Sequence, residues 1–210
     1  MVNLIRLKKA QEDFFDRFPG GFDNPELIRI RKHHRLEKMF ATAQDIFVES
    51  NFKFPELIVE NTIKTVIQSS LISRFEKPRF RDFAYALLPK EKDRFAKSLE
   101  ELLHGNQQTG FETLGEMLQT WKLAKWSLMT ICQAYYYPQT EVFVKPTTTK
   151  NIIRHFELND LHYYPTPTWD FYEQYRATIN EMKTIVDLSL SPNSIAFTGF
   201  LMRTMPERLS

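Results

Sequence analysis

The chain has 210 residues, of which 42% are hydrophobic and 26% are charged, and its formal net charge is +2 at pH 7. This composition is typical of a folded globular protein and excludes the intrinsically disordered and low-complexity classes. The single cysteine, Cys132, excludes an internal disulfide and a cysteine metal cluster.

The hydropathy pattern predicts neither a secretory signal nor a membrane span. The first residues lack the apolar stretch of a signal peptide. The most apolar window, 123–137, is interrupted by Lys125 and followed by Pro138, whereas a spanning helix needs about 18 uncharged apolar residues. We therefore expect a cytoplasmic protein without a membrane partner.

Apolar residues at three- and four-residue spacing predict helices along most of the chain. The first is 3–18, and Asn24 before Pro25 predicts the start of a second that runs to about 48, because asparagine caps helices and proline suits their first turn. Further helices are expected at 55–75, 78–88, 90–103, 111–136, 147–156, 169–186 and 193–202.

Strand-like sequence is confined to 141–145, which is too short to found a sheet. We therefore predict an all-α fold, a compact bundle-like domain of about eight helices with at most one short β segment near 141–145. One domain covering 1–210 is expected, and any lobe boundary should lie within 138–167, where prolines and threonines concentrate.

The helix predicted at 111–136 is apolar on more than one side, which is typical of a helix in the middle of a bundle. We expect the central part of the core to contain Trp121, Leu128, Cys132, Tyr175 and Ile179.

The first candidate site is a basic run on the second predicted helix. Its candidate nucleic-acid-binding residues are Arg29, Arg31, Lys32 and Arg35. Part of this run projects onto the apolar side, so the helix either bends near His33 or has a cationic core face. Cations at the edge of a core are typical of phosphate contacts, and a solvated basic face with extended side chains is the alternative. Adjacent histidines cannot both ligate one metal from a regular helix, so no metal site is predicted.

The second candidate alternates basic and aromatic residues after Pro78. Guanidinium groups bind phosphates and aromatic rings stack on bases, so Arg79 and Arg81 join the predicted nucleic-acid-binding residues. In the alternative, Phe80 and Phe83 are ordinary core anchors at a helix junction.

The third candidate is the start of the helix after Pro146. The predicted anion-binding residues are Lys145, Thr147, Thr148, Thr149, Lys150 and Arg154. A helix N-terminus has free backbone N–H groups and a partial positive charge, so hydroxyls and cations there predict a site for phosphate or another oxyanion. In the alternative, one threonine caps the helix and the others face water.

Two further features are less specific. Lys122 and Lys125 lie three residues apart on the predicted central helix, where a partly buried lysine can act as a base or nucleophile or else reach solvent. The aromatic segment 162–172 is either a packed loop or a docking surface for a protein partner through Trp169 and Tyr172. We assign no catalytic residue and no cofactor.

The favoured function is binding of a phosphate-rich partner such as nucleic acid, because clustered charge can create a local positive field that a small net charge hides. The alternatives are a helical protein–protein interaction module and an enzyme with an oxyanion site at the 146–155 helix start. The sequence has none of the common nucleotide-binding, hydrolase, metalloprotease or calcium-binding motifs.

Overall fold

The computed structural model describes residues 2–206 and contains eleven α-helices in that range. Their bounds are α1 Leu4–Arg17, α2 Pro25–His34, α3 Leu36–Ile46, α4 Pro55–Gln68, α5 Glu76–Ala86, α6 Pro89–His104, α7 Gln107–Gln119, α8 Trp126–Tyr136, α9 Pro146–His155, α10 Trp169–Ile185 and α11 Ser194–Arg203. Short 3₁₀ turns lie at Gly21–Asp23, Glu49–Lys53 and Leu188–Leu190. The all-α prediction is confirmed, and the helix number exceeds eight partly because two predicted helices are each divided.

The segment predicted as strand-like pairs with no strand among residues 2–206. The Val142 N–H donates to the Tyr172 hydroxyl at 3.3 Å, and the Val144 N–H donates to the Thr130 hydroxyl at 3.0 Å. Because side chains of α8 and α10 satisfy these backbone donors, residues 141–144 are buried without belonging to a sheet.

The predicted helix 25–48 is divided at Arg35, so its prediction as one helix is wrong. Arg35 has a left-handed backbone conformation with φ of 50°, and its N–H donates to the carbonyls of Arg31 and Lys32 at the end of α2. The division explains why part of the basic run projected onto the apolar side when 25–48 was treated as one helix, because the basic run lies on α2 and the apolar stripe on α3. The bend expected near His33 therefore exists and lies two residues later.

The predicted central helix 111–136 is also two helices. α7 ends at Gln119, α8 begins at Trp126, and Lys122 in the loop between them has a positive φ of 56°. The Trp121 side chain in this loop is 45% exposed, so its predicted burial is wrong. The remaining predicted core residues are buried, namely Leu128, Cys132, Tyr175 and Ile179.

α8 lies in the middle of the core, and all ten residues 126–135 are buried. The Trp126 ring packs edge-on against Phe171, with centroids 5.1 Å apart. Trp169 and Tyr172 are buried in the same aromatic region. The docking surface predicted at these two residues is therefore wrong, because α10 directs both rings into the core.

The backbones of α6 and α7 approach each other closely at Gly110. A Cβ atom at this position would lie 2.3 Å from the Leu102 nitrogen and 2.6 Å from the Ser98 oxygen. The absence of a side chain at residue 110 is therefore what allows the two helices to pack at this distance.

The buried apolar side chains from Leu7 in α1 to Leu201 in α11 belong to one cluster. The single domain and the placement of any lobe boundary stay predictions. Within residues 2–206, no helix has both the length and the apolar character that crossing a bilayer requires.

Candidate functional site

A cleft of about 440 Å³ lies between α2 and α3 on one side and α11 with the segment leading into α9 on the other. We call it the α2–α11 cleft, and its volume is within the usual range of small-molecule sites. The apolar side chains that line it are Phe22, Leu27, Ile30, Leu36, Phe40, Leu71, Phe143, Pro192, Ile195, Ala196 and Met202.

Four basic residues from three helices meet at this cleft. They are Arg31 and His34 of α2, Lys145 at the start of α9, and Arg203 at the end of α11. We call them the cationic cluster. Glu37 is the one carboxylate among the described residues that line the cleft. The lining is therefore positive overall.

Glu37 partly neutralises the cluster through Arg31. The Arg31 Nε lies 3.3 Å from the Glu37 Oε1, across the helix break at Arg35, and both side chains are largely in contact with water. Exposed ion pairs of this kind contribute about 0–1 kcal/mol. An anionic ligand can therefore compete with Glu37 for the Arg31 guanidinium at little energetic cost.

His34 reports on the positive field of the cleft. Its Nδ1 lies 2.8 Å from the Ser70 hydroxyl oxygen. Partial burial lowers the pKa of His34, and the positive charges of His33, Arg203 and Lys145 lower this pKa further. An anion placed among these groups would act in the opposite direction and raise the His34 pKa.

Arg203 is a partly buried cation of the cluster. Its Nη1 donates to the Gly199 carbonyl of its own helix at 3.1 Å. Burial lowers the Arg203 pKa, Glu26 raises it, and Arg17 lowers it. An arginine stays charged in this setting, so the cleft holds a partly desolvated positive charge.

The structure divides the predicted anion site at the start of α9. α9 begins at Pro146, and Lys145 takes the N-cap position without a side-chain capping bond. The alternative of a capping Thr147 or Thr148 is therefore wrong, because Pro146 starts the helix earlier than expected. Lys145 and Thr148 line the α2–α11 cleft.

The other predicted anion-site residues lie elsewhere around α9. Thr147 is exposed, and Thr149 is buried with its side chain hydrogen-bonded to Tyr175. The Lys150 ammonium lies over the Tyr163 ring, 5.8 Å from its centroid, and the Arg154 guanidinium donates to Asn151 at 3.4 Å. Of the six predicted anion-site residues, only Lys145 and Thr148 therefore lie together at the cleft.

The predicted nucleic-acid-binding residues are also separated. Arg31 enters the cleft, whereas the side chains of Arg29, Lys32 and Arg35 are exposed and form no hydrogen bond or ion pair with another described residue. On α5, Arg79 donates to the Trp121 carbonyl at 3.3 Å, and Arg81 pairs with Asp82 at 3.0 Å.

Two of the alternative interpretations fit the structure. Phe80 and Phe83 are buried, as core anchors would be. Lys122 and Lys125 are exposed in the loop between α7 and α8, so both reach solvent.

Sequence reasoning missed a buried charged network at Glu141. One carboxylate oxygen accepts a hydrogen bond from Arg176 at 2.7 Å, and the other accepts one from the Tyr172 hydroxyl at 2.7 Å. Burial, followed by the nearby Glu141 charge, holds the Tyr172 pKa well above its ordinary value. The available signal was the four-residue spacing of Tyr172 and Arg176, which places both on one face of α10. Because both carboxylate oxygens are engaged, we interpret the network as structural.

Comparison with protein-family models, with curated proteins and with solved structures finds no match to this chain.

Proposed function

We propose that the protein binds a small amphipathic anion in the α2–α11 cleft. The observation that carries this proposal is the convergence of the cationic cluster, from three separate helices, on one mostly apolar cavity. Small-molecule sites are commonly apolar with a few convergent polar groups that fix orientation. The apolar body of the ligand would lie between the helices, and its anionic head group would lie at the cationic cluster.

The apolar walls of the cleft favour the apolar body of such a ligand, and the cationic cluster favours its anionic head group, for different physical reasons. Removing apolar ligand surface from water contributes roughly 25 cal/mol per Å². Charges next to low-dielectric walls interact more strongly than charges in bulk water. An uncharged apolar molecule would gain only the first contribution, and a small hydrophilic anion only the second.

Decanoate and decanol test this proposal because they share a chain and differ in charge. Isothermal titration calorimetry at pH 7.5, below the micelle concentration, should show decanoate binding at least tenfold more tightly than decanol. If neither molecule binds at 0.1 mM, or if both bind equally, the proposal is wrong.

Variants localise the binding site. Ala196→Phe places a ring in the apolar part of the cleft and should abolish binding of both molecules. Lys145→Gln should weaken decanoate binding about threefold to tenfold and leave decanol unchanged. Lys38→Gln removes the same charge from an exposed position outside the cleft and is the matched control. Thermal unfolding establishes that each variant is folded.

Binding of a polyanion, nucleic acid above all, is the second candidate function. The observation that favours it is the exposure of Arg29, Lys32 and Arg35 near the cleft without partners among the described residues. Each phosphate contact on duplex DNA contributes about −0.9 to the log–log salt slope, so three contacts predict a slope of roughly −3. Fluorescence anisotropy with labelled duplex and single strands should show this slope, and Arg29→Glu with Lys32→Glu should weaken all sequences alike. Absence of binding at low salt would exclude this candidate.

A further inference from the structure

The charge of the α2–α11 cleft fits a dianion better than a monoanion. Arg31, Lys145 and Arg203 are cations and Glu37 is the one carboxylate among the described lining residues, so with His34 neutral the lining has a formal charge of +2. A carboxylate ligand would balance half of this charge. A phosphate monoester carries about −1.5 to −2 at pH 7 and would balance most of it.

The hydrogen-bond donors at the cationic cluster suit phosphate oxygens. Guanidinium groups such as those of Arg31 and Arg203 can donate two N–H bonds to one phosphate. Among residues 2–206, the one contact of the Thr148 hydroxyl is with the Met202 sulfur at 3.9 Å, so the hydroxyl can donate to a ligand oxygen. The side chain of Lys145 adds an ammonium donor at the same end of α9.

The remaining polar side chains of the cleft, Gln139, Asn193 and Thr198, each already use one polar atom in a hydrogen bond within the protein. The Gln139 amide donates to the Pro192 carbonyl at 2.7 Å, and the Asn193 Oδ1 accepts from the Ala196 N–H at 2.8 Å. The Thr198 hydroxyl lies 3.1 Å from the carbonyl oxygen of Ser194 and donates to it. A sugar or a nucleobase would need free partners of this kind, whereas a hydrocarbon chain needs only the apolar walls.

Building on the proposed function of the cleft, we propose that its ligand is a phosphate monoester of a single alkyl or prenyl chain. The phosphate binds the cationic cluster and Thr148, and the chain occupies the apolar part of the cleft. In this proposal the protein encloses both the phosphate and the chain. The alternative is a protein that binds only the phosphate of a lipid whose chain stays in the bilayer.

Decyl phosphate and decyl sulfate provide the decisive comparison. Both have the same chain and a tetrahedral head group, but at pH 7.5 the phosphate is mainly a dianion and the sulfate is a monoanion. Calorimetry below the micelle concentration should show decyl phosphate binding at least tenfold more tightly than decyl sulfate or decanoate. Inorganic phosphate, which lacks the chain, should bind at least a hundredfold more weakly than decyl phosphate.

The advantage of the phosphate should shrink on acidification. The charged and titratable groups that surround the head group are Arg31, His33, His34, Glu37, Lys145 and Arg203. Between pH 7.5 and 5.5 the ligand phosphate, with its second pKa near 6, loses charge, while the sulfate does not. The affinity ratio of decyl phosphate to decyl sulfate should therefore fall at least threefold, and a ratio that is independent of pH contradicts the dianion assignment.

Two charge variants sharpen this test. Glu37→Gln raises the formal charge of the lining to +3 and should strengthen decyl phosphate binding at least twofold. Lys145→Gln should weaken decyl phosphate more than decyl sulfate, and Lys38→Gln should change neither. An unchanged affinity ratio in Lys145→Gln would count against the dianion assignment.

The outcomes separate this inference from the proposed function. If decanoate and decyl sulfate bind as tightly as decyl phosphate, the dianion inference is wrong and the amphipathic-anion function stands. If no decyl compound binds, both fail. If inorganic phosphate binds as tightly as decyl phosphate, the chain is not recognised. If the protein sediments with phosphatidic-acid vesicles and decyl phosphate does not release it, the phosphate is bound at a membrane surface and the enclosed ligand is excluded.

Discussion

At the scale of single residues, the backbone conformation of Arg35 determines where α2 ends and α3 begins. Its positive φ of 50° separates α2 from α3, and this conformation costs a non-glycine residue roughly 1–2 kcal/mol. Glycine would relieve this strain but would lose about 0.5–1 kcal/mol through its greater freedom in the unfolded chain.

We therefore expect Arg35→Gly to raise the free energy of unfolding by about 0.5–1 kcal/mol, measured by urea denaturation. Ala41→Gly, at an exposed position in the middle of α3, is the control and should lower it by about 1 kcal/mol. A loss of stability in Arg35→Gly would show that the Arg35 side chain makes a stabilising interaction.

Gln133 has a buried side-chain amide without a hydrogen-bond partner among the described residues. It lies in α8 with 0% exposure, and neither its amide nitrogen nor its amide oxygen has a hydrogen-bond partner among the described residues. An unsatisfied buried polar group costs about 1–3 kcal/mol. We expect Gln133→Met, which is similar in volume, to raise the free energy of unfolding by about 1–2 kcal/mol in chemical denaturation.

Asn61 provides the control for this substitution. Its amide donates to the Ile46 carbonyl at 3.1 Å, so Asn61→Leu should destabilise the protein by removing a satisfied bond. Destabilisation by Gln133→Met as well would show that Gln133 has a polar partner such as an ordered water.

At the scale of helices, the two glycines of α7 make opposite predictions. A Cβ at Gly110 would collide with the backbone of α6, whereas one at Gly115 would meet only the Met129 Cε at an ordinary 3.6 Å. Alanine favours a helix over glycine by about 1 kcal/mol, and overpacking costs about 1–3 kcal/mol.

Gly110→Ala should therefore lower the free energy of unfolding by about 1–2 kcal/mol, and Gly115→Ala should raise it by up to about 1 kcal/mol. Thermal and urea denaturation of the two variants measure this difference. Equal effects at both positions would contradict the close approach of α6 and α7.

Two helix starts were predicted from the sequence, whereas the break at Arg35 was one of two open alternatives and the break at Lys122 was not predicted. Pro25 and Pro55 each begin a helix as predicted, because proline favours the first turn through its fixed φ and missing N–H. Arg35 and Lys122 adopt left-handed conformations without glycine or asparagine. The residue types at 35 and 122 are not those that usually adopt this conformation, so the only signal was indirect, from the conflict between the basic run and the apolar stripe before Arg35.

The break before α8 also decided the exposure of Trp121. Periodicity placed this residue on the stripe of one long helix, but the loop that begins after Gln119 takes it out of the helical register. The predicted core residues of α8 and α10, which keep their register, are buried, namely Leu128, Cys132, Tyr175 and Ile179.

At the scale of the whole molecule, the cleft is a product of the tertiary fold. Arg31 and Lys145 were identified as basic candidates in two separate segments, but their proximity depends on how α2, α9 and α11 pack. Arg203 and Glu37 were not among the predicted site residues. The sequence therefore predicted a site for anions, which stays a prediction, and could not indicate the apolar walls of the cleft.

The pH dependence of stability is a property of the whole molecule to which two histidines contribute. Partial burial lowers the pKa of His34 and His155 in the folded protein, and neighbouring cations lower both further. The unfolded state therefore binds more protons than the folded state below pH ~6.5, and stability falls as pH falls through this value.

We expect the free energy of unfolding to decrease between pH 7 and pH 5, and the double variant His34→Gln with His155→Gln to reduce this decrease. His162→Gln, at an exposed position, is the control. Urea denaturation across the pH series measures the slope, and an identical slope in the double variant would contradict the role of these histidines.

The weak anchoring of α2 has a consequence for the rate at which the cleft is filled. Among the helices of residues 2–206, α2 alone buries a single residue, Leu27, and its connection to α3 is the strained Arg35. Helices with little buried surface open locally at a much lower free energy than the global unfolding of the protein. One wall of the cleft is thus its least stable part, so we expect a ligand of the proposed kind to enter by transient opening of α2 and to hold α2 closed once bound. Amide hydrogen exchange should therefore be fast in α2, slow in α8, and slowed selectively in α2 by the ligand.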